Sequence, residues 1–265
     1  MLAADPPRGL HLLAAYLPDE GIVLMQVAVA GHTNEITAAP HVLKMLNLQG
    51  KIVTGDALLA QRALSQLIVE AGGDYVWTVK DNQPQLRHDI AQLFAPETCL
   101  PGTSPVITEV RTAQTVEKNR GRVETRRLRA CSLLTESSDW PHLQQVFQLD
   151  RRRLMMATGE VQAETVYGVT SLTAREASAE RLLELNRAHW GIENGLHYRR
   201  DVTLREDAGR TKVKPVGQVM ASLNNLMIGL TIGHGWTNLA QARRYYDAHP
   251  DQALRLLLQR PTLTL

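Results

Sequence analysis

The sequence predicts an α/β fold: a mixed sheet with flanking helices, interrupted by a β-rich insertion. Three observations predict it. A strand–helix–strand run occupies residues 51–79, segments of alternating or β-branched content lie between residues 106 and 171, and helical spacing resumes at residue 174. The 265 residues are 44% hydrophobic and 21% charged, an ordinary composition for a chain long enough to bury a sizeable core. A net charge of +2 imposes no global attraction to nucleic acid, so any such partner must be read from local clusters. Cys99 and Cys131 lack metal-ligand spacing and read as free thiols of a reducing cytosol, with a disulfide as the alternative. Asp5, Pro6, Pro7 and Arg8 interrupt the start, and apolar runs such as 22–25 and 226–230 are too short to span a bilayer. The expectation is a soluble, cytoplasmic protein with no membrane partner.

Residues 11–17 and 22–30 are apolar and rich in strand formers, and Pro18, Asp19, Glu20 and Gly21 separate them, which predicts a β-hairpin with a four-residue turn. Thr33 or Asn34 can cap a following helix with Ile36, Val42, Leu43 and Leu46 inward; Pro40 leaves its bounds open, and Gly50 ends it. Residues 51–55, KIVTG, form a short buried-type strand that runs into Asp56. A helix over about 57–71 places Leu58, Leu64, Leu67 and Ile68 inward and stops at Gly72-Gly73. Residues 75–79, YVWTV, are the next strand, and a βαβ unit of these lengths makes the two strands parallel. In open α/β sheets the working residues collect at the carboxyl ends of strands. Asp56 occupies one such end; Lys80, Asp81, Asn82 and Gln83 occupy the other. Asp is also a common helix N-cap at this position, and both roles are open.

Residues 84–94 read as a helix and 95–104 as a loop. Strands are expected at 106–110, 122–131, 146–149 and 165–171, in an insertion of roughly 75 residues. It carries two basic clusters, Arg120, Arg122, Arg126, Arg127 and Arg129, then Arg151, Arg152 and Arg153. Arginines two apart on a strand line one face, and a row of them suits a phosphate backbone; solvated strand faces are the equal alternative. A long helix over 174–200 contains His189, Glu193, His197 and Arg200, which spacings of four and seven place on one side. Leu182, Leu185, Ile192 and Leu196 form an apolar stripe beside them. A carboxylate at such a margin can hold a metal ion, although an ordinary charged helix face reads the same way. One ion shared by His189, Glu193 and His197 is disfavoured, because two of them lie about 12 Å apart along the axis. Residues 201–210 add Glu206 and Asp207, and 217–229 and 239–258 read as further helices.

Several runs resemble the bacterial insertion-sequence transposases of the D-D-E type, the H-repeat-associated subgroup. They are HTNEITAAPHVLKMLNLQGKIVTGDALLAQ, GGDYVWTVKDNQPQL, GRVETRR and RAHWGIENGLHYRRDVTLREDAGR, in that order. The resemblance spans about residues 11–230, and the combination is specific where each block alone is weak. It implies a ribonuclease-H-like core, residues 1–95 and 173–265, around a β-rich insertion at 96–172. It also implies that Asp56 is the second catalytic aspartate and Glu193 the catalytic glutamate, both holding Mg²⁺ or Mn²⁺, and that Arg200 contacts DNA phosphate. Arg199, His189, Lys80, Arg122 and Arg126 are the further DNA-contact candidates. Asn186 and His189 stand where the wider class has Tyr and Arg, so that part of the signature is altered. The resemblance also implies a first core strand that ends in Asp-Gly-Lys and carries the first aspartate; the expectation is that this chain begins after it, and that Asp5, ahead of Pro-Pro, is no substitute. The expected partners are double-stranded DNA, as transposon ends and target, and a second copy of the chain. The expected function is metal-dependent DNA cleavage and strand transfer, with this chain inactive by itself. The alternative is a non-catalytic DNA-binding remnant that occupies transposon ends.

Overall fold

The computed structural model describes residues 11–29, 34–95, 109–119, 121–206 and 214–258. The chain forms two compact units, Met1–Leu46 with Ala188–Leu265, and Asn47–Arg187.

The larger sheet belongs to the second unit. Strands β3 (Ile52–Gly55) and β4 (Asp74–Val79) pair in parallel, Gly55 opposite Trp77, with helix α2 (Arg62–Glu70) as the connection. The expected βαβ unit is therefore present. Four antiparallel strands continue the same sheet, β5 (Arg111–Asn119), β6 (Arg122–Cys131), β7 (Gln145–Met155) and β8 (Val161–Thr170), in the order β3-β4-β8-β7-β6-β5. The insertion strands thus extend the sheet through hydrogen bonds between β4 and β8, Val79 opposite Tyr167. Helix α3 (Pro84–Leu93), with Pro84 in its first turn, packs against β7 and β8. Helix α4 (Ala179–His189) contributes Leu182, Leu183 and Leu185 to a core with Val76, Leu128, Phe147 and Leu149. These side chains are almost fully removed from water, and each contributes about 1.5–3 kcal/mol of burial free energy.

The first unit contains the expected hairpin, β1 (His11–Leu17) with β2 (Ile22–Val29), as a separate two-stranded sheet. Helix α1 (Glu35–Lys44) follows, capped by the Asn34 side chain, which accepts from the Thr37 N–H at 3.3 Å. Pro40 sits inside α1. Helix α5 (Lys214–Gly233) is fastened to β2 where Gln26 donates to Ser222 and accepts from Asn225. Leu196 and Ile228 are fully buried in the core of this unit, with Tyr16, Val23 and Ile192 packed against them.

Four expectations are corrected. The long helix over 174–200 begins only at Ala179, because Thr173 and Glu176 close a turn on each other and Ser178 supplies the cap. It ends at His189; Trp190 is a turn, and π-helical segments follow at Glu193–His197 and Arg199–Thr203. Gly191 and Gly195 weaken the regular helix there, and a π turn inserts an extra residue per turn. His189, Glu193, His197 and Arg200 therefore do not share the regular α-helical face that their spacing implied. The helix over 57–71 divides into a 3₁₀ turn, Ala57–Leu59, and α2. The helix over 239–258 divides into α6 (Leu239–Ala248) and α7 (Pro250–Leu258), because Pro250 forces His249 out of helical geometry. Finally, Glu109 and Val110 precede β5 rather than forming a strand, and β5 itself is the polar run RTAQTVEKN. Residues 106–108 of the expected strand lie outside the described residues.

Gly168 in β8 carries a packing constraint. A Cβ built there would run into the Phe147 ring and lie 2.5 Å from the Trp77 carbonyl. We expect Gly168→Ala to cost about 1–3 kcal/mol, read as a lower urea midpoint, and Phe147→Leu in the same chain to recover part of that loss.

Candidate metal and nucleic-acid site

Asp56 is built by its strand. β3 ends at Gly55, and Asp56 turns the chain into the 3₁₀ segment with an extended backbone (φ −72°, ψ 177°). Its Oδ1 accepts from the Leu58 and Leu59 N–H groups at 3.1 and 3.3 Å. The N-cap role is therefore present, yet it uses one carboxylate oxygen, and the residue is exposed. Gly55 makes the approach possible: a Cβ there would lie 2.5 Å from the Trp77 indole. Trp77 in turn donates from Nε1 to Ser65 Oγ of α2 at 2.9 Å, so the strand end is clamped from beneath.

The carboxyl end of β4 lies at the same end of the parallel pair. Asn82 Nδ2 donates to the Ala57 carbonyl at 2.5 Å, and Gln83 Nε2 to the Ala60 carbonyl at 3.1 Å. These bonds lock the loop after β4 onto the turn that Asp56 caps. Lys80 is exposed and makes no ion pair among the described residues. It lines a cleft of about 180 Å³ together with Asp81, Arg87, Glu164 and Tyr167.

The segment around Glu193 sits in the other unit. The Glu193 backbone lies in the first π segment; its side chain is outside the described part. Arg199 donates to the Gly195 carbonyl at 2.7 Å. Burial raises the Tyr16 hydroxyl pKa, and the neighbouring Arg199 charge partly opposes that. Arg200 is half-buried and grips Glu206 with both arms: Nε reaches Oε2 at 2.8 Å, and Nη2 reaches Oε1. Asn224 adds a donor to Glu206 at 2.9 Å. Spacing alone assigns Glu206 no role; its bidentate pairing with Arg200 spans six residues because the chain leaves the helix and turns back at Arg205 (φ 54°). His189 ends α4, with its ring edge-on to Trp190. Asp207 lies outside the described residues.

The arginines of the insertion separate by sheet face. Cross-strand partners share a face, so Arg122, Glu124 and Arg126 of β6 lie with Glu117 of β5 and with Arg151 and Arg153 of β7. On that face Arg126 is held by Glu124 at 2.8 Å and Glu117 at 3.2 Å, and Arg153 approaches Glu124 at 3.6 Å. Helix α4 covers the same face. Arg187 pairs with Glu117 at 2.7 Å, and the buried Asn186 accepts from Arg151 at 3.0 Å. Asn186, at the altered signature position, is thus a fastener of α4 to the sheet. Burial lowers the Arg151 pKa, and Glu164 opposes it. Arg122, at the hairpin end, makes no ion pair among the described residues, and Arg120 lies outside them.

Among the described residues no group of three or more His, Cys, Asp or Glu side chains is placed to hold a metal ion, and no helix is long and apolar enough to cross a membrane. The sequence matches the family model of the transposase DDE domain over residues 7–221.

The chain belongs to the DDE transposase family.

Among curated relatives it is 37% identical over 170 residues to "Uncharacterized protein in dhlA 3'region" of Xanthobacter autotrophicus, covering 63% of this chain and 55% of that one. It is 27% identical over 225 residues to "H repeat-associated putative transposase YhhI" of Escherichia coli K12, covering 83% of this chain and 58% of the relative. The chain thus spans just over half the length of these relatives. As in this DDE transposase family, the fold is a mixed sheet with flanking helices.

One prediction follows from the Arg200–Glu206 pair. Burial acts to raise the Glu206 pKa, but hydrogen bonds from Arg200 and Asn224 and the Arg200 charge outweigh it and leave the pKa below its ordinary value of 4.5. A carboxyl depressed in the folded state stabilises fully above its unfolded pKa and loses that contribution as pH falls through the folded value. The urea-midpoint difference between the native chain and Glu206→Gln should therefore be largest at neutral pH and shrink as the pH drops below 4.5.

Proposed function

We propose that Asp56 and Glu193 are two of the carboxylates of a divalent-metal site, taking Mg²⁺ or Mn²⁺, and that the reaction is cleavage and strand transfer of double-stranded DNA at the ends of an insertion sequence. One observation carries this reading: Asp56 stands at the carboxyl end of β3, beside the end of β4, where open α/β sheets gather their reactive groups. A second supports it. Ile52 and Thr54 share a sheet face with Val76 and Phe147, the face on which α4 packs, and α4 is the helix that leads to Glu193. The donor set also fits. Mg²⁺ takes hard oxygen ligands, commonly one or two carboxylates completed by water and phosphate oxygens. Asp56 is an exposed carboxylate with Oδ2 outside its cap. The resemblance implies a third carboxylate on a strand ahead of the hairpin.

When bound, the divalent ions polarise the scissile phosphate and lower the pKa of the attacking water or 3′-hydroxyl. Asp56, held by its cap bonds, presents a fixed oxygen. Lys80, on the loop tied to the same turn, attracts the phosphate backbone, and Arg122 does so at the hairpin end. His189, Arg199 and Arg200 serve the DNA strand near Glu193, with Glu206 orienting the Arg200 guanidinium. Arg126 reaches phosphate only by giving up Glu124 and Glu117 for it. On this reading residues 1–95 and 173–265 form the core and 96–172 the insertion. Two chains act together in the cytoplasm, because two DNA ends are joined.

The test is cleavage of end-containing DNA in Mg²⁺ or Mn²⁺. It is measured with the 265-residue chain and with a longer chain that carries the strand expected before the hairpin. We expect the longer form to cut, the shorter form to stay inactive, and Asp56→Asn or Glu193→Gln to reduce cutting at least about 100-fold without lowering thermal stability. Asparagine keeps the cap, so an inactive but stable Asp56→Asn separates the two roles of that residue. Unchanged cutting by either variant contradicts the proposal.

A further inference from the structure

The two faces of the extended sheet hold their cations differently. On the face that α4 covers, Arg126, Arg151 and Arg153 are matched by Glu117, Glu124 and Glu164. Strand register assigns Lys118, Arg127 and Arg152 to the opposite face, because Lys118 pairs with Val123, Arg127 with Gln114 and Arg152 with Thr125. All three are exposed, and none makes an ion pair among the described residues. The carboxylate of this face beside Arg127 is Asp150, its register partner, yet Asp150 is hydrogen-bonded by Gln148 at 2.8 Å and by Thr165 at 2.8 Å. Helix α3 covers only the inner part of the face, where Arg129 stacks on Phe94 at 5.3 Å and donates to its carbonyl. The outer part, with Val116 60% and Val161 44% exposed, faces solvent.

We propose that this outer face, through Lys118, Arg127 and Arg152, is a docking surface for the sugar–phosphate backbone of duplex DNA. The proposal rests on the DNA-processing reading above. Its argument is charge complementarity on a rigid platform. Neighbouring strands lie about 4.8 Å apart, and same-face residues about 6.8 Å apart along a strand, so Arg127 and Arg152 are separated by about 8 Å on the diagonal. Lys118 lies one row beyond Arg152 and two strands across, about 12 Å away. Side chains five to six atoms long cover those gaps, so the three cations can meet successive phosphates of one strand. The exposed Val116, Leu154 and Val161 lie among them and can pack on deoxyribose. A second copy of the chain is the poorer occupant. A two-fold interface apposes a patch to itself and would set these cations against their own like.

The experiment measures binding of a short fluorescein-labelled DNA duplex by anisotropy across a salt series, without divalent ions. It compares the native chain with Lys118→Ala/Arg127→Ala/Arg152→Ala. A charge-matched control removes three exposed cations elsewhere, Lys44→Ala/Lys51→Ala/Arg175→Ala, and circular dichroism melts confirm that both variants fold. Each lost phosphate contact reduces the slope of log K against log salt by about 0.9, so the face variant should lose roughly 2–3 from that slope and about 10-fold or more in affinity. The control should keep the native slope. An unchanged slope in the face variant, an equal loss in the control, or a change confined to self-association in sedimentation would overturn the proposal. A cleavage reading that fails while the face variant still loses slope leaves this surface standing, and the reverse outcome removes the surface alone.

Discussion

The parallel pairing of Gly55 with Trp77 is the constraint that gives the second unit its meaning. Parallel strands point their carboxyl ends the same way, so Asp56 and the Lys80–Gln83 loop must emerge together. The indole of Trp77 fills the space that any side chain at residue 55 would need, and Ser65 holds it by its N–H. Asp56 is therefore a strand-end carboxylate, a turn cap and an exposed oxygen donor at once. Capping does not compete with metal binding, because the cap uses Oδ1 alone.

Charge in this chain is divided between fastening and reaching. Arg126, Arg151 and Arg187 are spent on Glu117, Glu124, Glu164 and Asn186, and they tie the β5–β8 sheet to α4. Exposed ion pairs stabilise little on their own, but here several share partners and partly buried positions. The chain leaving α4 then changes its periodicity. Leu182 and Leu185 are buried in the core of one unit, and Leu196 in that of the other. The second π segment ends at Thr203, and the chain then turns through Arg205 in a left-handed conformation (φ 54°), which brings Glu206 back to Arg200 six residues on.

Much of the architecture was legible. The hairpin, KIVTG, YVWTV and the strand over 122–131 have strong apolar or β-branched patterns bounded by turn residues, and they fold as their patterns dictate. β5 was not legible, since RTAQTVEKN has too few apolar residues to alternate; its strand form comes from pairing with β6 along its whole length. Sequence spacing also pooled arginines that alternate between faces: Arg126 and Arg127 are neighbours in the chain but lie on opposite sides of the sheet. At the site, Asp56 could be read from its strand end, and the family match over residues 7–221 supports the transposase assignment. The pairing of Glu206 with Arg200 could not be read, because no regular helix puts residues six apart together.

The central claim is that Asp56 and Glu193 grip the same divalent ions. Its most direct test substitutes Fe²⁺ for Mg²⁺ and maps the backbone cuts made by hydroxyl radicals released at the bound ion. The account predicts two clusters of cuts, one around residue 56 and one around residue 193, both suppressed by excess Mg²⁺. Cuts at one locus alone, or none that Mg²⁺ suppresses, would contradict it.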